Sequence, residues 1–156
     1  GSTATLDQFR KRMQVFTIGP NKINQLRHVR FLRNLDGIRA HMRNQARILR
    51  PKFELVLQHL STALDGTGMG SWTSPRGGYF ISFDALPGVA AEVIRLAGNA
   101  GLGLTPAGAA FPYRRDPKDA HIRLSPTFPE FDELDQAMRL FVVCVQLSSV
   151  RSRLTP

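Results

Sequence analysis

Ile38, Met42, Ala46, Leu49, Phe53, Val56, Leu57, Leu60 and Leu64 recur at helical spacing, and this stripe constrains the chain more than any other feature. Asp36 reads as the cap that opens the helix, and Gly66 stands just past its end. At 1.5 Å per residue, residues 36–64 reach roughly 43 Å, against a diameter of roughly 35 Å for a compact domain built from the remainder. A helix of that reach is expected to bridge two domains. Pro51 lies inside the stripe without disturbing its phase, which predicts one kinked helix rather than two independent ones.

Upstream, Leu6, Phe9, Met13 and Phe16 predict a short amphipathic helix that ends before Gly19-Pro20. Pro20 is then expected to open a second helical segment through Ile23, Leu26 and Phe31, since a proline in the first turn sacrifices no hydrogen bond. Together, residues 1–35 are too small to enclose a core, so their apolar faces must dock on something else. With 156 residues in all, the chain amounts to one domain, or one domain plus an arm.

The net charge of +9 is unevenly spread: residues 1–50 carry eleven Lys/Arg against Asp7 and Asp36, whereas residues 51–156 carry ten of each sign. Arg39, Arg43, Arg47 and Arg50 follow helical spacing, with Arg27, Arg30 and Arg33 before them. Such a ridge suits a basic nucleic-acid-binding module over residues 10–50, or else a solvated helix face that pairs with acids on a neighbouring domain. No base-reading motif accompanies it. The sequence has no run long and apolar enough for a membrane span and no signal-peptide pattern, so cytoplasmic residence is expected.

Beyond the Gly66–Gly70 turn the period shortens to that of strands. Strands are expected at Ser71–Thr73, at Tyr79–Phe83, at Leu102–Leu104 and at His121–Ser125. Both faces of Tyr79–Phe83 are largely apolar, which places that strand centrally in its sheet. A helix carrying Val89, Val93, Leu96 and Ala97 closes at Gly101, and residues 105–120, with three prolines, form a loop. Thr127-x-x-Glu130 reads as the capping box of a last helix bearing Leu134, Met138, Phe141, Val142 and Val145, with Cys144 a small buried side chain beside them. The order predicts an α+β fold, a three- to four-stranded sheet with helices packed on one face.

Catalytic sets are missing from the sequence pattern. His28, His41, His59 and His121 show no metal-ligand spacing, and the glycines form neither a phosphate loop nor a dinucleotide fingerprint. Arg76-Gly77-Gly78-Tyr79-Phe80 superficially resembles an RNA-recognition signature, but its third and fourth positions are swapped and no companion aromatic strand is evident. Arg123 alternates with Ile122 and Leu124 and so faces away from the core, just after the proline-rich loop. That position suits bidentate recognition of a carboxylate, or an ordinary surface arginine.

Three segments in order, Trp72–Phe80, Gly103–Pro112 and Ile122–Pro129, resemble the C-terminal half of class I/II pyridoxal-phosphate aminotransferases. The wording is closest to the aspartate aminotransferase branch related to MocR-type regulators, and Thr17–His28 and Ile48–Phe53 are similar to that branch as well. The resemblance implies that residues 36–156 are the C-terminal small domain, with the long helix entering from a large domain on which residues 1–35 dock. It implies a homodimer when complete, transamination between aspartate and 2-oxoglutarate, and Arg123 as the group that grips the substrate α-carboxylate. It also implies that pyridoxal phosphate binds elsewhere: Lys11, Lys22, Lys52 and Lys118 are the only lysines, none stands in the family's cofactor motif, and the chain is expected to be an inactive fragment. A ligand-sensing domain of a MocR-type regulator is the remaining alternative.

Overall fold

The computed structural model describes residues 1–154. Its contacts divide the chain into two units, one ending at Ala46 and the other beginning at Arg47. The first unit holds α1 (Thr3–Phe16), α2 (Lys22–Leu32) and the opening turns of α3 (Leu35–Leu64). Neither α1 nor α2 contains a buried residue: Phe9 is 59% exposed and Ile23 84% exposed. Their amphipathic patterning makes helices, as the spacing predicts, but within the unit the apolar stripe has little to pack on beyond Phe31, whose ring meets His41 edge-on at 5.3 Å.

Two helix starts differ from expectation, both because asparagine out-competes its neighbours as a cap. Asn21 Oδ1 accepts from the Asn24 amide at 2.9 Å, so α2 begins at Lys22 and Pro20 stays outside it. Asn34 Oδ1 likewise accepts from the Gly37 amide at 3.0 Å, which moves Asp36 from the cap into the first turn of α3. There the carboxylate still favours the helix dipole. α3 then runs unbroken through Pro51 to Leu64.

The second unit is closed around a core. Val56, Leu60 and Leu64 of α3 are buried against a three-stranded antiparallel sheet among the described residues, in the order β1 (Gly70–Trp72), β2 (Ile81–Ala85), β3 (His121–Leu124). α4 (Ala90–Asn99) contributes Val93 and Ala97 to the same core, and α5 (Phe131–Leu154) contributes Leu134, Phe141 and Val145. Phe83 lies at the centre, parallel to Trp72 and edge-on to Phe141 with ring centroids 5.2 Å apart. Gly70 is required beside it, because an added Cβ would stand 2.5 Å from Phe83 Cζ. Cys144 is buried, and burial pushes its thiol above the ordinary range.

The α+β architecture and the central position of β2 match the sequence pattern. Four local expectations do not. Leu102–Leu104 forms no strand: after Gly101 takes a positive φ of 89°, the Leu102 amide closes back on Ala97 O at 2.8 Å, a helix-end bond rather than a ladder bond. β2 starts two residues late, leaving Tyr79 61% and Phe80 46% exposed, so it is not the doubly buried strand that Tyr79–Phe83 suggests. Its pattern is instead one-sided, with Ile81, Phe83 and Ala85 buried and Asp84 exposed. Finally, α5 does not use Thr127: Lys52 Nζ donates to the Thr127 and Pro129 carbonyls at 3.1 and 2.6 Å, holding that segment outside the helix. The Glu130 amide donates to Glu133 Oε2 at 3.3 Å instead. Among the described residues no helix is long and apolar enough to cross a membrane.

Candidate functional site

Helices cover one face of the sheet; the other carries a short row of polar groups. Antiparallel register places Ser82 opposite Arg123 and Asp84 opposite His121, while Ile122 and Leu124 point into the core as their alternation predicts. His121 Nδ1 lies 3.1 Å from Asp84 Oδ1 and 3.3 Å from Ser82 Oγ. Both contacts fall on one ring nitrogen, so the trio is not a nucleophilic relay, which needs the serine and the acid on opposite nitrogens. It tethers the imidazole to β2, and the Phe111 ring meets it edge-on at 5.7 Å.

The loop before β3 is fastened by Asp116. Its Oδ2 accepts from the amides of Ala120 and His121, each at 2.8 Å, and its Oδ1 from the Lys118 amide at 3.0 Å. These bonds, the His121 amide foremost, hold the carboxyl below its ordinary range. Asp119 continues the work, its Oδ1 accepting from the Ala91 amide at 3.0 Å in the first turn of α4. The entry of β3, and with it the height at which Arg123 leaves the sheet, is thereby fixed from both sides.

Arg123 is half-buried. Its Cζ sits 4.5 Å from the centroid of the Phe80 ring. Among the described residues no carboxylate lies within ion-pair distance of it, and its Nε, shielded from water, has no hydrogen-bond partner. An orphaned buried donor costs about 1–3 kcal/mol unless something answers it. A cavity of ≈ 120 Å³ opens beside Arg123, walled by apolar side chains such as Leu102, Leu104, Met138 and Phe141. A held guanidinium with no acid of its own is suited to an anionic ligand, and its planar fork matches a carboxylate.

Arg123 is the site residue that the sequence singles out, and it lies half-buried over Phe80 beside this cavity. Sequence reasoning missed Phe80, which lies diagonally across the ladder from Arg123 because Ser82 is directly opposite. Residues at i and i+2 share a face, and a diagonal cross-strand pair is within reach of an aromatic and a long side chain. The signal was therefore present once the register was known. A second polar cleft, ≈ 270 Å³, lies between α3 and α5, where His59 Nε2 is 2.7 Å and Arg139 Nε 2.9 Å from the oxygens of Asp135. Its acid is already paired, so it offers less to a ligand than Arg123.

A family model described as aspartate amino-transferase matches residues 1–155. An aspartate aminotransferase of Corynebacterium glutamicum is 47% identical over 132 residues, which is 85% of this chain and 31% of that protein. The crystal structure of an aspartate transaminase from the same species superposes with a TM-score of 0.87 at 42% identity, covering 97% of this chain and 36% of that one. An α-aminoadipate aminotransferase from Thermus thermophilus, solved in complex with N-(5'-phosphopyridoxyl)-L-leucine, shares the fold at 18% identity with a TM-score of 0.72, over 95% of this chain and 37% of that one. The chain spans about a third of the length of the curated relatives it matches.

Proposed function

Because the chain belongs to the aspartate amino-transferase family, we propose that it is the small-domain portion of a pyridoxal-phosphate aminotransferase, with Arg123 anchoring the substrate α-carboxylate. The supporting observation is the guanidinium itself, half-buried over an aromatic ring and without an acid partner among the described residues. Aspartate as donor and 2-oxoglutarate as acceptor are the substrates of the complete protein on this reading, in keeping with the names its relatives carry. The complete protein is a homodimer, and residues 1–35 lie on its large domain.

The lysines of this chain do not by themselves make a site for the cofactor. Lys11, Lys22 and Lys118 are exposed, with no pocket among the described residues to activate the amine, and Lys52 is engaged by two carbonyl oxygens. On this reading the cofactor is held by residues outside the chain, and the chain alone does not turn over. The contribution of Arg123 is positional. Two parallel N–H···O bonds fix the carboxylate in a plane, which fixes the direction of the bonds at the adjacent carbon and removes the rotational freedom that would otherwise oppose reaction.

Replacing Arg123 by Lys keeps the charge and discards the fork. Losing one charge-assisted hydrogen bond, at about 1.5–3 kcal/mol, predicts a fall of about 10- to 150-fold in kcat/KM for aspartate in the complete enzyme. Oxaloacetate release measured with 2-oxoglutarate as acceptor gives that ratio. Unchanged kinetics in the Arg123→Lys enzyme would remove the proposed role.

A further inference from the structure

We infer that Phe80 is a positioning residue for the Arg123 guanidinium, acting through the face of its ring; this rests on the carboxylate-anchoring reading of Arg123. Phe80 precedes β2 by one residue and is 46% exposed, so its ring is not committed to the core. Apolar burial does not account for its placement. The ring lies under Arg123, with Cζ 4.5 Å from its centroid, well inside the ~6 Å within which a cation and an aromatic face attract.

Three features make this contact a holding device. Ser82 faces Arg123 across the ladder and offers only a small hydroxyl, so it leaves the guanidinium free to swing. Asp84, the nearest acid along the same strand, is engaged with His121 rather than with Arg123. An ion pair from a protein carboxylate would hold the guanidinium equally well, but it would occupy the fork and compete with the ligand. An aromatic ring attracts the cation but carries no carboxylate oxygen, so it sets no competing acid against the ligand for the N–H donors. Phe80 thus restrains Arg123 without consuming the hydrogen bonds that a carboxylate needs. The Gly77-Gly78 turn, with Gly78 at a φ of 89°, delivers the ring to this position immediately before the strand begins.

The aromatic face, rather than bulk, is the quantity to vary. Phe80→Leu keeps an apolar side chain and removes the ring, whereas Phe80→Tyr keeps the face. In the complete enzyme the leucine variant is expected to raise KM for aspartate about 3- to 30-fold with kcat little changed, and the tyrosine variant to restore it. In an Arg123→Gln background, where the cation is gone, Phe80→Leu is expected to add less than about twofold. On the 156-residue chain itself, the Arg123 Nε–H resonance is expected to be displaced by the ring current of Phe80 and to return toward the other arginines in Phe80→Leu. The proposal is overturned if Phe80→Leu leaves KM unchanged while Arg123→Lys lowers kcat/KM. It is equally overturned if leucine costs as much without the arginine as with it, or if the wild-type resonance shows no displacement. If Arg123→Lys also has no effect, the carboxylate reading fails first and takes Phe80 with it.

Discussion

The units on either side of Ala46 are both rich in amphipathic helix, yet only one of them buries anything substantial. In the second, the stripe of α3 meets Phe83, Ile122 and Phe141 and disappears from solvent. In the first, Phe9, Phe16, Ile23 and Phe31 keep more than half of their surface exposed. The difference teaches that periodicity specifies a helix and a face but not what covers the face. Where the covering strands and helices lie in the same chain, a core results; where they do not, the same pattern leaves an apolar surface. A large domain lying on residues 1–35, as proposed, would supply a cover for the first unit.

The largest test of this contrast compares two phenylalanines. Phe83→Ala is expected to cost about 3–5 kcal/mol, enough to unfold the second unit or come close to it, because Trp72 and Phe141 both pack on that ring. Phe9→Ala in the same 156-residue chain is expected to change stability by about 0.5 kcal/mol or less, since its ring has no core to leave. Denaturant titration of both variants checks the pair. Equal costs would erase the distinction between the units.

A smaller effect sharpens the account of how Arg123 is held. Asp116→Ala removes the acceptor of three loop amides and is expected to destabilise the second unit by about 1 kcal/mol at neutral pH. The Asp116 carboxyl is held below its ordinary range, so its contribution is fully present above the unfolded value of about 3.9 and is lost as pH falls through the lower folded value. The stability difference between wild type and Asp116→Ala should therefore shrink on acidification below about pH 4. A difference that stayed constant into the acid range would mean that the loop is held by something other than this carboxylate.

How much of this was legible beforehand follows the same division. Alternation around Arg123 gave its direction correctly, because a strand's two faces are set by parity alone. The helix that crosses Pro51 was legible from phase, since the stripe runs on either side of it without a slip. Caps were harder to read: Asn21 and Asn34 prevail over Pro20 and Asp36 by hydrogen bonds whose geometry no spacing rule encodes. Leu102–Leu104 carries strand-like residues but is captured by the end of α4, a tertiary choice invisible in the segment itself. Phe80 was hidden because its role depends on register across two strands separated by the whole of α4 and the following loop.

Amide hydrogen exchange on the 156-residue chain tests the central contrast most directly, because it reads each helix separately in one sample. The account predicts slow exchange through β2, β3 and the buried stretch of α5, approaching the global stability of the second unit, and fast exchange with little protection in α1 and α2. Protection of α1 and α2 comparable to that of α5 would contradict it, since those helices would then have a cover within the chain itself.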